Sequence, residues 1–404
     1  MTLALLVAGL GAALLVAAEL GCRRWLRRHS GYHVWPPDTR LEIRLDREAF
    51  PGFPRRVRFE INADGERGAD VRGDEAGLFR VLVAGGSAAE CFAIDQPNSW
   101  PGVLERLLNS RQGLETLGAR RVHVGSVARS GIACCHMDLV FERALPQYGH
   151  LSAIVIMAGA ADVTQWLEEG APQSAGGSPA PPPVSATFAS HPEQHFGWNL
   201  RRWAAVELVR RLRRKWLRPV EVREAAGGWM RAARRMRAEA KQVRTEVPDP
   251  AVLLDRFAYH FARVLERAQA RADRVLVVRQ PWFERDYSAD EVAHLWHGGV
   301  GKAWKDTIDV YYSFDVVNRL MSLIDARAAA VADDRGVEQL DLRPVLTPNL
   351  ENYYDFLHFT PAGAAVVAQA VAAALAPKAE RRYGVEPPFT ATSVTCISSM
   401  PPTR

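Results

Sequence analysis

Five short runs in this chain are β-rich and apolar, three of them almost without interruption, and a stretch of helical patterning follows each. The runs cover residues 80–84, 121–127, 151–158, 274–278 and 336–342; the helical stretches cover 101–108, 134–144, 251–270, 314–332 and 361–375. A strand that is apolar at successive positions has no solvent face, so it belongs inside a sheet covered on both sides. Strands alternating with helices imply parallel pairing through right-handed crossovers. The expected fold class is therefore α/β: a three-layer α/β/α sandwich around a doubly wound parallel sheet of about five strands. The chain has 404 residues, 48% of them hydrophobic and 24% charged, enough to bury such a core.

The ends and one internal stretch fall outside this alternation. Residues 2–21, TLALLVAGLGAALLVAAELG, carry no charge before Glu19. Roughly 20 apolar residues are what a bilayer requires. No basic region precedes the run, which argues for a retained single-pass anchor over residues 1–22 rather than a cleaved signal peptide. Residues 23–75 are a polar, proline-bearing juxtamembrane and lead-in segment, with one short strand expected at 57–61. The main domain then spans 76–378, with an insertion over about 165–250. Inside that insertion, 171–190 is Pro/Ser/Ala-rich and reads as a mobile loop. Residues 201–244 hold fifteen Lys and Arg against four Asp and Glu, a net +11 in a chain whose total is +5. This segment is expected to be helical, either simply solvated or lying on anionic lipid. No nucleic-acid-binding motif accompanies the charge. Residues 379–404 lack periodicity and are expected to be disordered.

Chemistry concentrates where strands end. The first apolar run leads into Gly85-Gly86-Ser87, the second into VGSVARSGI at 124–132 with Gly131, and the third into AGAAD at 158–162. Late in the chain, YYDFLHFTPAG at 353–363 places Asp355 and His358 three residues apart ahead of a helix. Open α/β sheets place their ligands beyond the carboxyl ends of their strands. A serine there, with an aspartate and a histidine elsewhere, can serve as nucleophile, orienting acid and base.

This set resembles the SGNH, or GDSL-type, hydrolase superfamily, over roughly residues 57–376. Residues 80–87 resemble its first block, 124–131 its second, and Asp355-x-x-His358 its last; FEINADGERG at 59–68 looks like the lead-in of membrane-anchored bacterial members. The resemblance implies a flavodoxin-like sandwich and an esterase working through an acyl-enzyme. It implies Ser87, Asp355 and His358 as catalytic residues, with the N–H groups of Ser87 and Gly131 facing the oxyanion. It also implies a small acyl ester, or an acylated glycan or lipid, as substrate, with no cofactor and no metal. Two letters depart from the pattern. Gly86 stands where the family has aspartate, and Ala161 stands where an asparagine side chain normally donates to the oxyanion. Losing one such donor costs roughly 10²–10³ in turnover. Arg129 and Gln280 are candidate replacements. An O-acyltransferase, or a degenerate non-catalytic binding protein, would carry the same letters.

The remaining candidates have plain readings. His294 and His297, three apart, lack a third metal ligand in pattern and read as pocket-edge or surface residues. Trp282, Trp296 and Trp304 read as packing residues, and Asp162 as a loop brace. The five cysteines show no metal spacing. Arg23, Arg24, Arg27 and Arg28 directly after the anchor favour a cytoplasmic body. The resemblance to anchored envelope proteins favours the opposite side, and the expected placement is outside the cytoplasm.

Overall fold

The computed structural model describes residues 2–71, 76–174 and 181–376. Ten strands occur among them: β1 Arg40–Leu45, β2 Arg56–Glu60, β3 Leu78–Gly85, β4 Arg121–Ser126, β5 Leu151–Met157, β6 Val220–Ala226, β7 Gln242–Arg244, β8 Ala272–Arg279, β9 Val310–Tyr312 and β10 Glu338–Asp341. Five of these build the central sheet in the order β10-β8-β5-β3-β4, with every neighbouring pair parallel. All seven residues of β5 are buried, as are the last six of β3, which is why their sequences show no alternation. The helices Trp100–Leu108 and Pro361–Leu375 pack together on one side of the sheet. Cys134–Arg143, Ala251–Gln269 and Phe314–Asp334 pack on the other, completing the three-layer sandwich. The strand order reverses at β3, between β4 and β5, so the crevice of this fold opens beyond the carboxyl ends of β3 and β5.

A second, smaller sheet corrects two expectations. The segment 201–244 is not wholly helical: the helices Ala204–Leu217 and Trp229–Ala238 alternate with β6 and β7. Strand β6 pairs in parallel with β1, which pairs antiparallel with β2. The lead-in and the insertion therefore share one sheet. Leu41, Ile43 and Leu45 alternate inward along β1 and join Val57, Phe59, Ile61, Ala93 and Met230 in a core of their own. Strand β6 leaves no hydrophobic signal because its first six residues face solvent and its backbone alone makes the pairing. The stretch read as a mobile loop also contains packed residues. Phe188 is buried and Ser190 bridges to His33, while 175–180 lie outside the described residues, as do 377–404 with the tail expected to be disordered.

The first helix, Thr2–His29, holds a span long and apolar enough to cross a membrane, with a mean hydropathy of 2.1. Glu19 is the exception inside it, and the fold accounts for its charge. Its carboxylate is fully buried, accepts the N–H groups of Ala204 and Ala205 at 2.9 and 3.0 Å, and pairs with Arg23 at 2.8 Å. It caps the start of the helix Ala204–Leu217, where a carboxylate satisfies free N–H groups and the helix dipole.

Arg67, from the lead-in, has a structural task. Its guanidinium is buried and donates to Gln96 Oε1 at 2.7 Å, to the carbonyls of Cys91 at 3.0 Å and Ile94 at 2.8 Å, and to that of Glu90. Those carbonyls close the short helix that starts at Ser87, so Arg67 fixes its far end. Burial pushes the Arg67 guanidinium down to about 10, which leaves it charged at neutral pH. Arg67→Met would strand the buried Glu90 and Ile94 carbonyls, each at about 1–3 kcal/mol, while the Cys91 carbonyl keeps the Ile94 N–H at 3.0 Å. We expect a loss of about 3–5 kcal/mol, read as a markedly lower midpoint in thermal unfolding followed by tryptophan fluorescence. An unchanged midpoint would show that this anchor is dispensable.

Candidate active site

The turn after β3 explains its two glycines. A Cβ on Gly85 would sit 2.5 Å from the Met157 carbonyl oxygen and 2.7 Å from Ala89 Cβ, so no side chain fits there. Gly86 is different, for an added Cβ meets nothing closer than 3.6 Å. Ser87 then opens the helix Ser87–Glu90, half-buried at the edge of the crevice.

Across that crevice, His358 Nε2 lies 2.6 Å from Ser87 Oγ, and His358 Nδ1 lies 2.8 Å from both Asp355 oxygens. Asp355 is fully buried. Its Oδ1 accepts the N–H groups of Leu357 and His358 at 3.0 Å each, and its Oδ2 accepts the Trp296 indole N–H at 3.0 Å. The three-residue spacing of Asp355 and His358 is what lets one carboxylate take two local N–H groups and the imidazole together. Burial alone would raise the Asp355 pKa. The adjoining His358 and His297 imidazoles and these hydrogen bonds overcome it and hold the carboxyl far below the usual range. An ionised Asp355 receiving a proton on Nδ1 leaves Nε2 free to accept from Ser87. The structure thus brings together the three residues singled out from the sequence as nucleophile, base and orienting acid.

The proposed oxyanion side is less complete. Gly131 adopts φ +76° and is exposed, and the Gln165 amide holds its carbonyl at 2.6 Å. The N–H groups of Ser87 and Gly131 donate to no other group among the described residues. Ala161 occupies the first turn of the helix Ala160–Glu168, beside Gly86, and offers only a methyl group. Neither candidate replacement points its recorded hydrogen bond at Ser87. Gln280 lines the crevice but donates to the Pro281 carbonyl at 2.8 Å, and Arg129 donates to the Thr187 carbonyl at 3.3 Å. What does lie there is the start of the Ala160–Glu168 helix, capped by Gly159 without a side chain. The first N–H groups and positive end of that helix make this side of the crevice electropositive.

His297 meets the pocket-edge alternative of its expectation and corrects the surface one. It lines the crevice but is only 3% exposed, stacks on Trp296 at 3.8 Å, and leaves Nδ1 without a partner among the described residues. Burial pushes its imidazole down to about 3, so it stays neutral beside Asp355. His294 is half-buried at the end of the helix Ala289–His294. His297, Asp355 and His358 bring ligand atoms within 4.8 Å of one another, but the Asp355 oxygens already receive four N–H groups. Trp282 packs in the core and Trp296 packs against the second core, as expected, while its indole also donates to Asp355; Trp304 is half exposed in the crevice, so the packing reading fails for that residue.

Three supporting residues gave no sequence signal. Glu90, buried one turn beyond Ser87, accepts the Ser130 N–H at 2.9 Å and its hydroxyl, tying the nucleophile helix to the Gly131 turn. Arg234 donates to the carbonyls of His294 and Tyr354, and Arg237 to those of His297 and Tyr312. Both belong to the basic segment, where they brace loops of the site instead of facing lipid. Asp162 accepts the Cys134 N–H at 3.0 Å and so braces the neighbouring loop.

No family model matches the chain, and no curated protein matches it in sequence. Solved structures align over most of its length. An α/β hydrolase from a Lake Arreo metagenome shares 11% identity at a TM-score of 0.39, covering 73% of this chain and 94% of its own. An acetylxylan esterase from Geobacillus stearothermophilus shares 11% at 0.37, covering 72% and 92%. A lipolytic protein of the G-D-S-L family from Veillonella parvula shares 8% at 0.38, covering 73% and 96%. Likeness this distant leaves the function to be argued from the residues.

Proposed function

We propose that this chain is a membrane-anchored serine esterase of the SGNH type. The observation that carries the reading is the continuous hydrogen-bonded line Ser87–His358–Asp355 at the carboxyl end of β3. In the proposed reaction His358 Nε2 takes the Ser87 proton as Oγ attacks an ester carbonyl. The N–H groups of Ser87 and Gly131 receive the developing oxyanion. The imidazolium, held by Asp355, gives its proton to the leaving alkoxide, and an acyl-enzyme remains. Water activated by the same imidazole then releases the acid; a sugar hydroxyl in its place would make the chain an O-acyltransferase. A non-catalytic binding protein is the competing reading, and Ala161 is what favours it. Labelling by a fluorophosphonate probe decides between them. We expect the folded wild type to label and Ser87→Ala to stay blank; an unlabelled, folded wild type would favour the binding protein.

Retention of the first helix is part of the proposal. Its Glu19 caps the helix Ala204–Leu217, so cleavage after Gly21 would remove a buried partner of the body. We place the body outside the cytoplasm, on the family resemblance and against the four arginines. Alkaline phosphatase fused after Arg404 should be active. Phosphatase-negative cells that fluoresce with a fluorescent-protein fusion would overturn the placement and leave the anchor standing.

A further inference from the structure

Ser87 and His358 belong to two compartments, not one. The larger, of about 880 Å³, has Gln165, Glu168, Gln280, Lys302 and Trp304 in its lining, beside apolar residues such as Ile132. The smaller, of about 330 Å³, is lined by Trp35, Leu45, Phe50, Phe92, Ala226 and Met230. Trp229 and Trp296 line both and meet edge to face at 4.9 Å, forming a wall between them that the Trp296–Asp355 hydrogen bond holds in place. The walls differ in chemistry. The smaller side is mainly aromatic and aliphatic; Glu90 and Ser130 also line it, with Arg129 near the Trp35 ring at 5.7 Å and Arg223 near the Phe92 ring at 6.0 Å. The larger carries amides, carboxylates and a lysine, with Trp304 half exposed and touching Trp229 edge to face at 6.0 Å.

We infer that the ester straddles this wall, with a hydrocarbon acyl group larger than acetyl in the smaller compartment and a polyhydroxylated alcohol in the larger. The inference rests on the esterase reading and names its substrate class. A volume of 330 Å³ is that of about ten waters at roughly 30 Å³ each, room that an acetyl group leaves mostly empty. Apolar walls favour hydrocarbon there by excluding water. On the other side, Gln165, Gln280 and Lys302 can hydrogen-bond hydroxyls, and the exposed Trp304 ring offers a face to a sugar ring. Trp35, Leu45 and Phe50 of the lead-in and Ala226, Trp229 and Met230 of the basic insertion supply much of the smaller compartment, with Phe92 from the sandwich, so these additions help set the acyl specificity.

The test uses full-length protein in nanodiscs with p-nitrophenyl acetate and hexanoate. Wild type should prefer hexanoate by at least tenfold in kcat/KM. Ala226→Phe should reduce that ratio at least tenfold, and Phe92→Ala should move the optimum to longer chains, so the two variants shift in opposite directions. Trp304→Ala should raise KM for a hexanoylated sugar at least fivefold more than for p-nitrophenyl hexanoate; equal changes would overturn the assignment of the alcohol side. Turnover that prefers acetate and is insensitive to Ala226 and Phe92 would overturn the acyl compartment while the esterase reading stands. Absence of Ser87-dependent turnover would sink the esterase reading instead. Calorimetric titration with hexanoate then decides the compartment: binding weakened by Ala226→Phe upholds it, and no binding overturns it.

Discussion

Replacing Ser87 or His358 with alanine should remove nearly all esterase activity, a fall of roughly 10⁴–10⁶ in kcat for groups that act as a unit. The expectation follows from geometry. Ser87 Oγ has one base within reach, His358 Nε2 at 2.6 Å, and that base is oriented through Nδ1 by a buried carboxylate. Asp355→Asn should be as informative. It keeps the shape but removes the charge that selects the tautomer, so turnover should fall by roughly 10⁴ with KM little changed. Because Asp355 is held ionised far below neutrality, its own titration should leave no trace in the pH–rate profile between pH 5 and 9. Steady-state kinetics on p-nitrophenyl esters measure all three variants. Retention of the wild-type rate by His358→Ala would show that another base serves Ser87, and the site would need reassignment.

Ala161→Asn should act in the opposite direction and raise turnover, by up to roughly 10²–10³ if the amide reaches the oxyanion. The position allows it. Ala161 is half-buried at the wall of the crevice, and its methyl would lie 3.8 Å from a Cβ built on Gly86, so a larger side chain has the open face of Gly86 to fill. The gain should appear in kcat, with KM nearly constant, because the donor acts on charge that exists only in the transition state. A folded variant with an unchanged rate would mean that the first-turn N–H groups of the Ala160–Glu168 helix already supply what the family's asparagine supplies elsewhere.

The three candidate letters Ser87, Asp355 and His358 were legible because their logic is local. A serine at the end of an apolar strand, and an aspartate three residues before a histidine, are short patterns whose meaning lies in the adjoining backbone. The burial of His297 stayed hidden for the same reason. Its spacing from His294 suggests one helical face, but the helix Ala289–His294 ends before it and the chain turns His297 inward against Trp296. Arg234 and Arg237 were hidden in a charge run, where nothing in composition separates an arginine that binds backbone carbonyls from one that faces water.

The sequence alone determined the middle of the central sheet, since β3 and β5 are covered on both faces and that burial writes itself into consecutive apolar residues, whereas the half-buried edge strand β10 keeps Glu338, Gln339 and Asp341. It also determined the long apolar first helix and the identities of Ser87, Asp355 and His358. Only the tertiary structure decided that Ser87 and His358 meet across 271 residues of chain, and that β1 of the lead-in pairs with β6 of the basic insertion. The same packing set Glu19 at the start of a distant helix and divided the crevice into two compartments. Backbone hydrogen bonds and shared walls between remote segments make these arrangements, and neither leaves a period or a motif in the residues that form them.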